Sequence, residues 1–257
     1  MSLVYDCFML HNELDMAELR MRELANSVDY HVIVEARETH SGLSKELNYP
    51  TLECRLPSWL SEKVIYITLD SLQDENGSRD AWKKEAYHRS QIAQGLVNCN
   101  PDDLVIVSDC DEIVNPDVIP LIGDKAGLTL TLYYYNFHTK SPDFWGIGAT
   151  RWGIYQDVNG IRTNAMGGKQ IDNAGWHFSY MGNADFIVDK VRSFMHFDLA
   201  QQVGITKESI EYALKTGTDL FKRGDYFILE DYPLGDMSHL PKTIRENVEH
   251  YKELGWL

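Results

Sequence analysis

The chain is short of cysteine, of positive charge and of long apolar runs, and each shortage removes a class of protein. Its four cysteines, Cys7, Cys54, Cys99 and Cys110, include no Cys-x-x-Cys pair. They therefore form neither a zinc-ligand pattern nor a disulfide framework. Cys7 and Cys110 fall in or at the ends of predicted strands, where a thiol serves as a small core residue. Only 24 Lys and Arg stand against 39 Asp and Glu, a net charge of −15, and no basic cluster of the kind that binds DNA or RNA appears. No stretch reaches membrane-spanning length, and the N-terminus has no basic segment followed by an apolar core. The 257 residues thus read as a soluble, cytosolic chain. No Pro/Gly/Ser-rich linker, low-complexity tract or repeat divides them, which points to one large α/β domain.

What is present is Leu104-Val105-Ile106-Val107-Ser108-Asp109-Cys110-Asp111-Glu112, an apolar run of strand length that ends in three carboxylates. A β-branched run without polar alternation predicts a strand buried on both faces, as in a parallel sheet covered by helices. The acids then lie at its carboxyl end, where open α/β sheets bind ligands. Alternation along a strand would point Asp109 and Asp111 the same way, and two converging carboxylates call for a cation such as Mg²⁺ or Mn²⁺. The plainer alternative is a solvated turn. A chain this acidic that handles an anionic substrate needs local positive charge, from a metal or from a few placed Arg and Lys residues.

Along the chain, Val4 to Met9 predicts a first strand. Asn12 is read as the cap of a helix whose buried stripe is Leu14, Ala17, Met21, Leu24 and Val28. Strands are expected at Tyr30 to Glu35 and Val64 to Leu69, and a long helix from about Arg79 to Val97. This order is that of a nucleotide-binding α/β unit. Beyond Asp111, Leu128 to Phe137 alternates as an antiparallel or edge strand would, and Arg151 to Tyr155 is a further candidate. Gly167 to Gly182 reads as a loop-rich substrate platform holding Trp176 and His177. Helices are expected at Thr206 to Thr216 and at Pro241 to Leu254, the latter with Pro241 as its first residue.

Several residues could carry chemistry. Glu35, Thr39 and Lys45 follow the second strand, where this architecture commonly holds a nucleotide. Arg79 precedes the long helix, and Glu85 and Arg89 lie one turn apart within it. An exposed pair at that spacing is worth only about 0.3–0.5 kcal/mol, but this helix feeds the acidic strand and could bring Arg89 to it as a phosphate-binding fork. His177 beside Trp176 suits a metal ligand, a phosphate donor or the wall of a sugar pocket. His239, just before the last helix, is also explained as part of a helix start.

In order and spacing these segments resemble glycosyltransferase family 17, the β-1,4-mannosyl-glycoprotein 4-β-N-acetylglucosaminyltransferases. The resemblance rests on Asn12-Glu13-Leu14-Asp15 with Arg20 to Leu24, Val28-Asp29, Val32 to Glu35, and Thr39 with Gly42 and Lys45. It continues through Arg79-Asp80, Tyr87-His88-Arg89, Asp102-Asp103, Asp111-Glu112-Ile113 and Ala174-Gly175-Trp176-His177. It implies a single GT-A-like domain, with a Rossmann-like, mostly parallel central sheet flanked by helices and a smaller antiparallel acceptor-side portion. Residues 1–112 would form the nucleotide-sugar-binding half and 113–257 the acceptor-binding half.

The implied activity is inverting transfer from a UDP-sugar, UDP-GlcNAc, to a glycan acceptor with Mn²⁺ or Mg²⁺. Asp109 and Asp111 would address the metal and donor diphosphate, with His239 or His177 as a third ligand. Asn12, Glu35, Thr39, Lys45, Arg79, Arg89, Trp176 and His177 would lie on the donor side. Asp185 is the expected base, with Glu230 and Asp231 in reserve. The chain departs from the animal members in showing no membrane anchor or stem and in a shorter region between Asp111 and Trp176. A metal-dependent phosphohydrolase or nucleotidyltransferase, or a non-catalytic glycan-binding module, are the competing classes. The sequence leaves the oligomeric state open.

Overall fold

A computed structural model describes residues 2–72, 80–141, 146–164, 167–193, 203–224, 229–231 and 233–257; Arg79, expected on the donor side, lies outside them. The first half runs β1 (Val4–Leu10), α1 (Leu14–Leu24), β2 (Tyr30–Ala36), α2 (Tyr49–Glu53), α3 (Ser58–Ser61), β3 (Val64–Leu69), α4 (Ala81–Ser90) and β4 (Leu104–Val107). Then come β5 (Glu112–Val114), β6 (Lys125–Leu128), β7 (Thr131–Tyr134), β8 (Asn136–Ser141), β9 (Ile147–Arg151), α5 (Val158–Asn164), β10 (Lys169–Ile171) and β11 (Gly175–Ser179). The chain continues through α6 (Ala184–Ser193), α7 (Lys207–Thr216), β12 (Glu230–Asp231), α8 (Lys242–Glu246) and α9 (Val248–Glu253).

Among the described residues these strands make a seven-stranded sheet, β10-β6-β9-β4-β1-β2-β3, and a five-stranded sheet, β12-β8-β7-β11-β5. In the larger sheet β1 pairs in parallel with both β2 and β4, and β2 with β3. Only β9 runs against its neighbours β4 and β6. The fold is mixed α/β, Rossmann-like in its first half and GT-A-like as a whole. Alternation along β1 separates two cores. Phe8 and Leu10 pack with Met16, Ala17, Leu19 and Met21 of α1, while Tyr5 and Cys7 join Ile92, Leu96, Val158 and Ile161 on the opposite face. Burying both faces is what allows β4 to be wholly apolar.

Several local expectations change. The long helix ends at Ser90 and tightens into a 3₁₀ stretch, Gln91–Leu96, whose Gly95 lies so close to β2 that a Cβ would meet Val32 at 2.4 Å. Asn12 does not cap α1: Glu13 occupies the cap position, with no side-chain cap bond. The single strand expected over Leu128 to Phe137 is three, because the chain leaves the larger sheet after Leu128 and reverses between β7 and β8 at Tyr135, whose φ is 71°. The strand expected at Arg151 to Tyr155 ends at Arg151. Gly175 to Ser179, expected as loop, is strand β11 inside the smaller sheet, between β5 and β7. The last helix is broken at Asn247, and Pro241 caps it from outside.

Candidate functional site

Strand β1 is the topological switch point of the larger sheet, with β2 on one side and β4 on the other, and a crevice at the carboxyl ends of such strands is where α/β folds bind ligands. Strand β4 stops at Val107, so the acids are not alternating strand residues as expected. Ser108 to Asp111 form a turn, closed by Glu112 N–H donating to the Asp109 carbonyl at 3.0 Å, that hands the chain to β5 and the second sheet. Asp109 and Asp111 still face a common cavity.

Arg20 holds this turn from below. It sits on the apolar side of α1, fully buried, and forks onto Asp6 at 2.9 and 2.5 Å. It also donates to the carbonyls of Asp109 and Glu112 at 2.7 and 2.8 Å and to Ser108 Oγ at 2.7 Å. A planar five-donor group can satisfy divergent acceptors in this way; an ammonium cannot. Despite burial, Arg20 and His31 keep the Asp6 carboxyl well below its ordinary range.

Three cations surround the acids. Arg89 pairs with Glu85 and reaches Asp109 at 3.2 Å. Arg162 of α5 lies 3.5 Å from Asp109 and 2.6 Å from Glu112. Lys190 of α6 donates to both Glu13 and Asp111 at 2.8 Å, and His177 Nε2 is 3.6 Å from Asp111. The consequences for protonation differ. Burial would raise both acids, but Arg162 and Arg89 hold Asp109 well below the carboxylate range, and Lys190 with His177 lowers Asp111. Burial dominates at Glu112, which is pushed up to about 8, and raises Glu13 and Glu85 as well. Burial also lowers His177.

The cavity over this cluster has a volume of about 740 Å³, in the range of small-molecule sites. Its walls come from the ends of β1 and β2, from α4, α5 and α6, and from the acidic turn, and include Thr39, His40, Trp82, Arg89, Arg162 and His177. Five carboxylates, Glu13, Glu85, Asp109, Asp111 and Glu112, share three cations, Arg89, Arg162 and Lys190. Among the described residues no group of three or more His, Cys, Asp or Glu is arranged to hold a metal by itself. An ion that completes its shell with substrate phosphates needs only one or two carboxylates, and Asp109, with 37% of its side chain exposed, is the open one. A divalent cation here would take Asp109 and Asp111, the two acids of the cluster held ionised by their cations.

The structure brings Asp109, Asp111, Arg89, His177 and Thr39 to this cavity. It does not bring the others. Glu35 is fully buried beneath the loop after β2, where it accepts from Asn48 N–H (2.7 Å), Tyr49 N–H (3.0 Å), the Tyr66 hydroxyl (2.9 Å) and Lys45 (2.5 Å). Glu35 and Lys45 therefore shape the loop rather than line the cavity. Trp176 is a core residue whose indole N–H donates to the His239 carbonyl at 2.7 Å. The His239 ring stacks on Tyr133 with Asp236 and Lys140 as its charged neighbours, so it does not join Asp109 and Asp111. Asp185, 74% exposed, pairs with Lys207 at 2.5 Å, and Glu230 and Asp231 are exposed on β12. Asn12 lines a second, smaller cavity.

Arg162 and Lys190 were not singled out from the sequence. Lys190 left a signal, since it falls on the apolar stripe of α6 with Ala184, Ile187 and Val191; Arg20 does so among Met16, Ala17, Met21 and Leu24 of α1. A charge on a buried stripe needs a buried partner. Arg162 left none, because its carboxylate partners lie 50 or more positions away.

The fold and the site define an α/β protein whose switch-point crevice sets a carboxylate pair among arginines and a lysine. More particularly, residues 1–254 match the model of glycosyltransferase family 17, and the chain belongs to that family. Its relatives include proteins named beta-1,4-mannosyl-glycoprotein 4-beta-N-acetylglucosaminyltransferase. Those of Rattus norvegicus and Homo sapiens are each 25% identical over 98% of this chain, and that of Mus musculus is 24% identical over the same share. The chain spans about half the length of these curated relatives, 54% of each.

Proposed function

We propose that the chain is a metal-dependent inverting glycosyltransferase that moves N-acetylglucosamine from UDP-GlcNAc to a glycan hydroxyl. The observation that carries this reading is the Asp109 to Asp111 turn at the β1/β4 switch point, walled by Arg89, Arg162 and Lys190, in a chain of family 17. In this reading residues 1–112 supply most of the nucleotide-sugar side and residues 113–257 the acceptor side. The relatives' name adds the sugar and suggests a β-mannosyl acceptor.

Asp109 and Asp111 would hold Mn²⁺ or Mg²⁺, with His177 beside them. When bound, the ion supplies positive charge to a leaving diphosphate. The chain's own part is electrostatic and positional. Arg89 and Arg162 present fixed forks to phosphate oxygens, Arg20 fixes the turn, and Thr39 and His40 border the nucleoside end of the cavity. Asp185, Glu230 and Asp231, which lie outside this cavity, are not given the base role here.

The test is a thermal-shift screen of UDP-, GDP- and CMP-sugars with and without Mn²⁺, because a ligand that binds only the folded state raises the melting temperature. UDP-GlcNAc with Mn²⁺ should give the largest rise, and UDP release should require a glycan acceptor, which a phosphohydrolase would not need. Asp111→Ala should stay folded and lose transfer. Full turnover in the folded variant sinks the assignment.

A further inference from the structure

A second cavity of about 230 Å³ lies on the far side of the Glu13–Lys190–Asp111 network and shares those three residues with the larger one. It is well below the size of drug-sized pockets and suits a single sugar ring. Its walls have two characters. Phe178, Met181, Phe186 and Trp256 offer apolar surface, while Asn12 and Asn183 offer amides. Sugar rings are bound in this manner, with their C–H faces on aromatic rings and their hydroxyls on amides and acids. A second observation is independent of shape. Asn12 Oδ1, one residue before the cap position of α1, is buried and has no hydrogen-bond partner among the described residues. A buried carbonyl oxygen without a donor costs stability, and a sugar hydroxyl would satisfy it.

We infer that this smaller cavity is the acceptor subsite, taking one terminal monosaccharide, and that Glu13 at the junction is its catalytic base. The inference rests on the transferase reading above and deepens it. With the donor in the larger cavity, its anomeric carbon faces the shared wall. The acceptor hydroxyl comes from the Asn12 side, and its proton passes to a Glu13 carboxylate oxygen as the hydroxyl oxygen bonds to the anomeric carbon. The bond from that carbon to the diphosphate breaks, its electron pair leaving with the diphosphate oxygen. Lys190 binds Glu13 and Asp111 together, so the acid at the acceptor and the acid at the leaving group share one cation.

The experiment is saturation-transfer NMR on the whole chain with UDP and the diamagnetic Mg²⁺, using the methyl glycosides of mannose, N-acetylglucosamine and galactose in turn. One glycoside should give a signal, and Asn12→Ala and Phe186→Ala should each weaken its binding about tenfold, the size of a lost hydrogen bond or stacking contact, while UDP affinity moves little. Two variants guard against one that misfolds. If UDP does not bind at all, the transferase reading fails. If UDP binds but no glycoside does, or both variants keep full glycoside binding, the subsite alone is refuted. Glu13→Gln should keep the glycoside signal and slow transfer by about 10²-fold or more; unslowed transfer removes the base role from Glu13.

Discussion

Replacing Arg20 by Met would remove the donor that ties β1, β4 and the acidic turn together while keeping the length of the side chain. Asp6 would retain His31, whose Nδ1 is 2.9 Å away, but would lose its bidentate partner, and the carbonyls of Asp109 and Glu112 would each lose one donor while keeping the Glu112 N–H and the Ser108 hydroxyl. Deleting one member of a buried ion pair costs about 3–5 kcal/mol. The two carbonyls keep a second donor each, so the ion-pair figure is the expected total. Against a total stability of about 5–15 kcal/mol, that leaves a folded but weakened protein, with a melting temperature lower by roughly 6–20 °C for a chain of this size. Urea unfolding should show the midpoint falling with an unchanged slope. Arg20→Lys restores a charge beside Asp6 without the fork, so it should recover part of the stability yet bind UDP-GlcNAc and Mn²⁺ more weakly, because the turn is no longer pinned. A loss below about 1 kcal/mol in Arg20→Met, at unchanged slope, would falsify the claim that this guanidinium organises the site.

Glu35→Gln removes the charge that Lys45 faces and weakens four hydrogen bonds under the loop after β2. It should cost about 2–4 kcal/mol of stability and leave the UDP-GlcNAc thermal shift nearly intact; a collapsed shift in a stable variant would return Glu35 to the donor site. Acid should destabilise the fold early. Burial, with Lys45 as the next cause at His11 and Arg89 at His40, lowers these groups to about 3 and about 4, and burial takes His88 well below its ordinary value. The unfolded chain binds these protons near pH 6.5 and the folded chain does not, so stability present above about pH 6.5 is lost as the pH falls toward 4, by up to about 1.4 kcal/mol per pH unit for each histidine. Urea midpoints followed down that range should fall, and more gently in His88→Asn; a flat profile contradicts the buried neutral histidines.

The first four parallel-sheet strands were legible because each is a local apolar run, and a strand buried on both faces carries its evidence within a few residues. Leu104 to Val107 needed nothing beyond its own side chains and the turn at Asn100-Pro101. The acidic motif was legible for the same reason, as an abrupt change of character at a strand end. Leu128 to Phe137 was not. One alternating pattern serves β6, β7 and β8 equally, and only pairing with Ile147–Arg151, Gly175–Ser179 and the chain around Ile171 decides where each strand ends. The loop expected around Trp176 was read from its glycines, yet Gly175 is there because the neighbouring strand β5 approaches too closely for a Cβ, which would stand 2.1 Å from the Ile113 oxygen.

The sequence by itself thus determined the class of fold, the family and the two carboxylates, because composition, periodicity and motif order are properties of neighbouring residues. The tertiary structure alone decided what surrounds Asp109 and Asp111. Arg162 and Lys190 reach them from helices 53 and 79 positions further along the chain, Glu35 and His239 are drawn away to other partners, and Glu13 comes to stand between two cavities. Charge neutralisation in a buried cleft is a long-range requirement: a local pattern can mark a buried cation, as the apolar stripe does for Lys190, but does not record which acids it will meet.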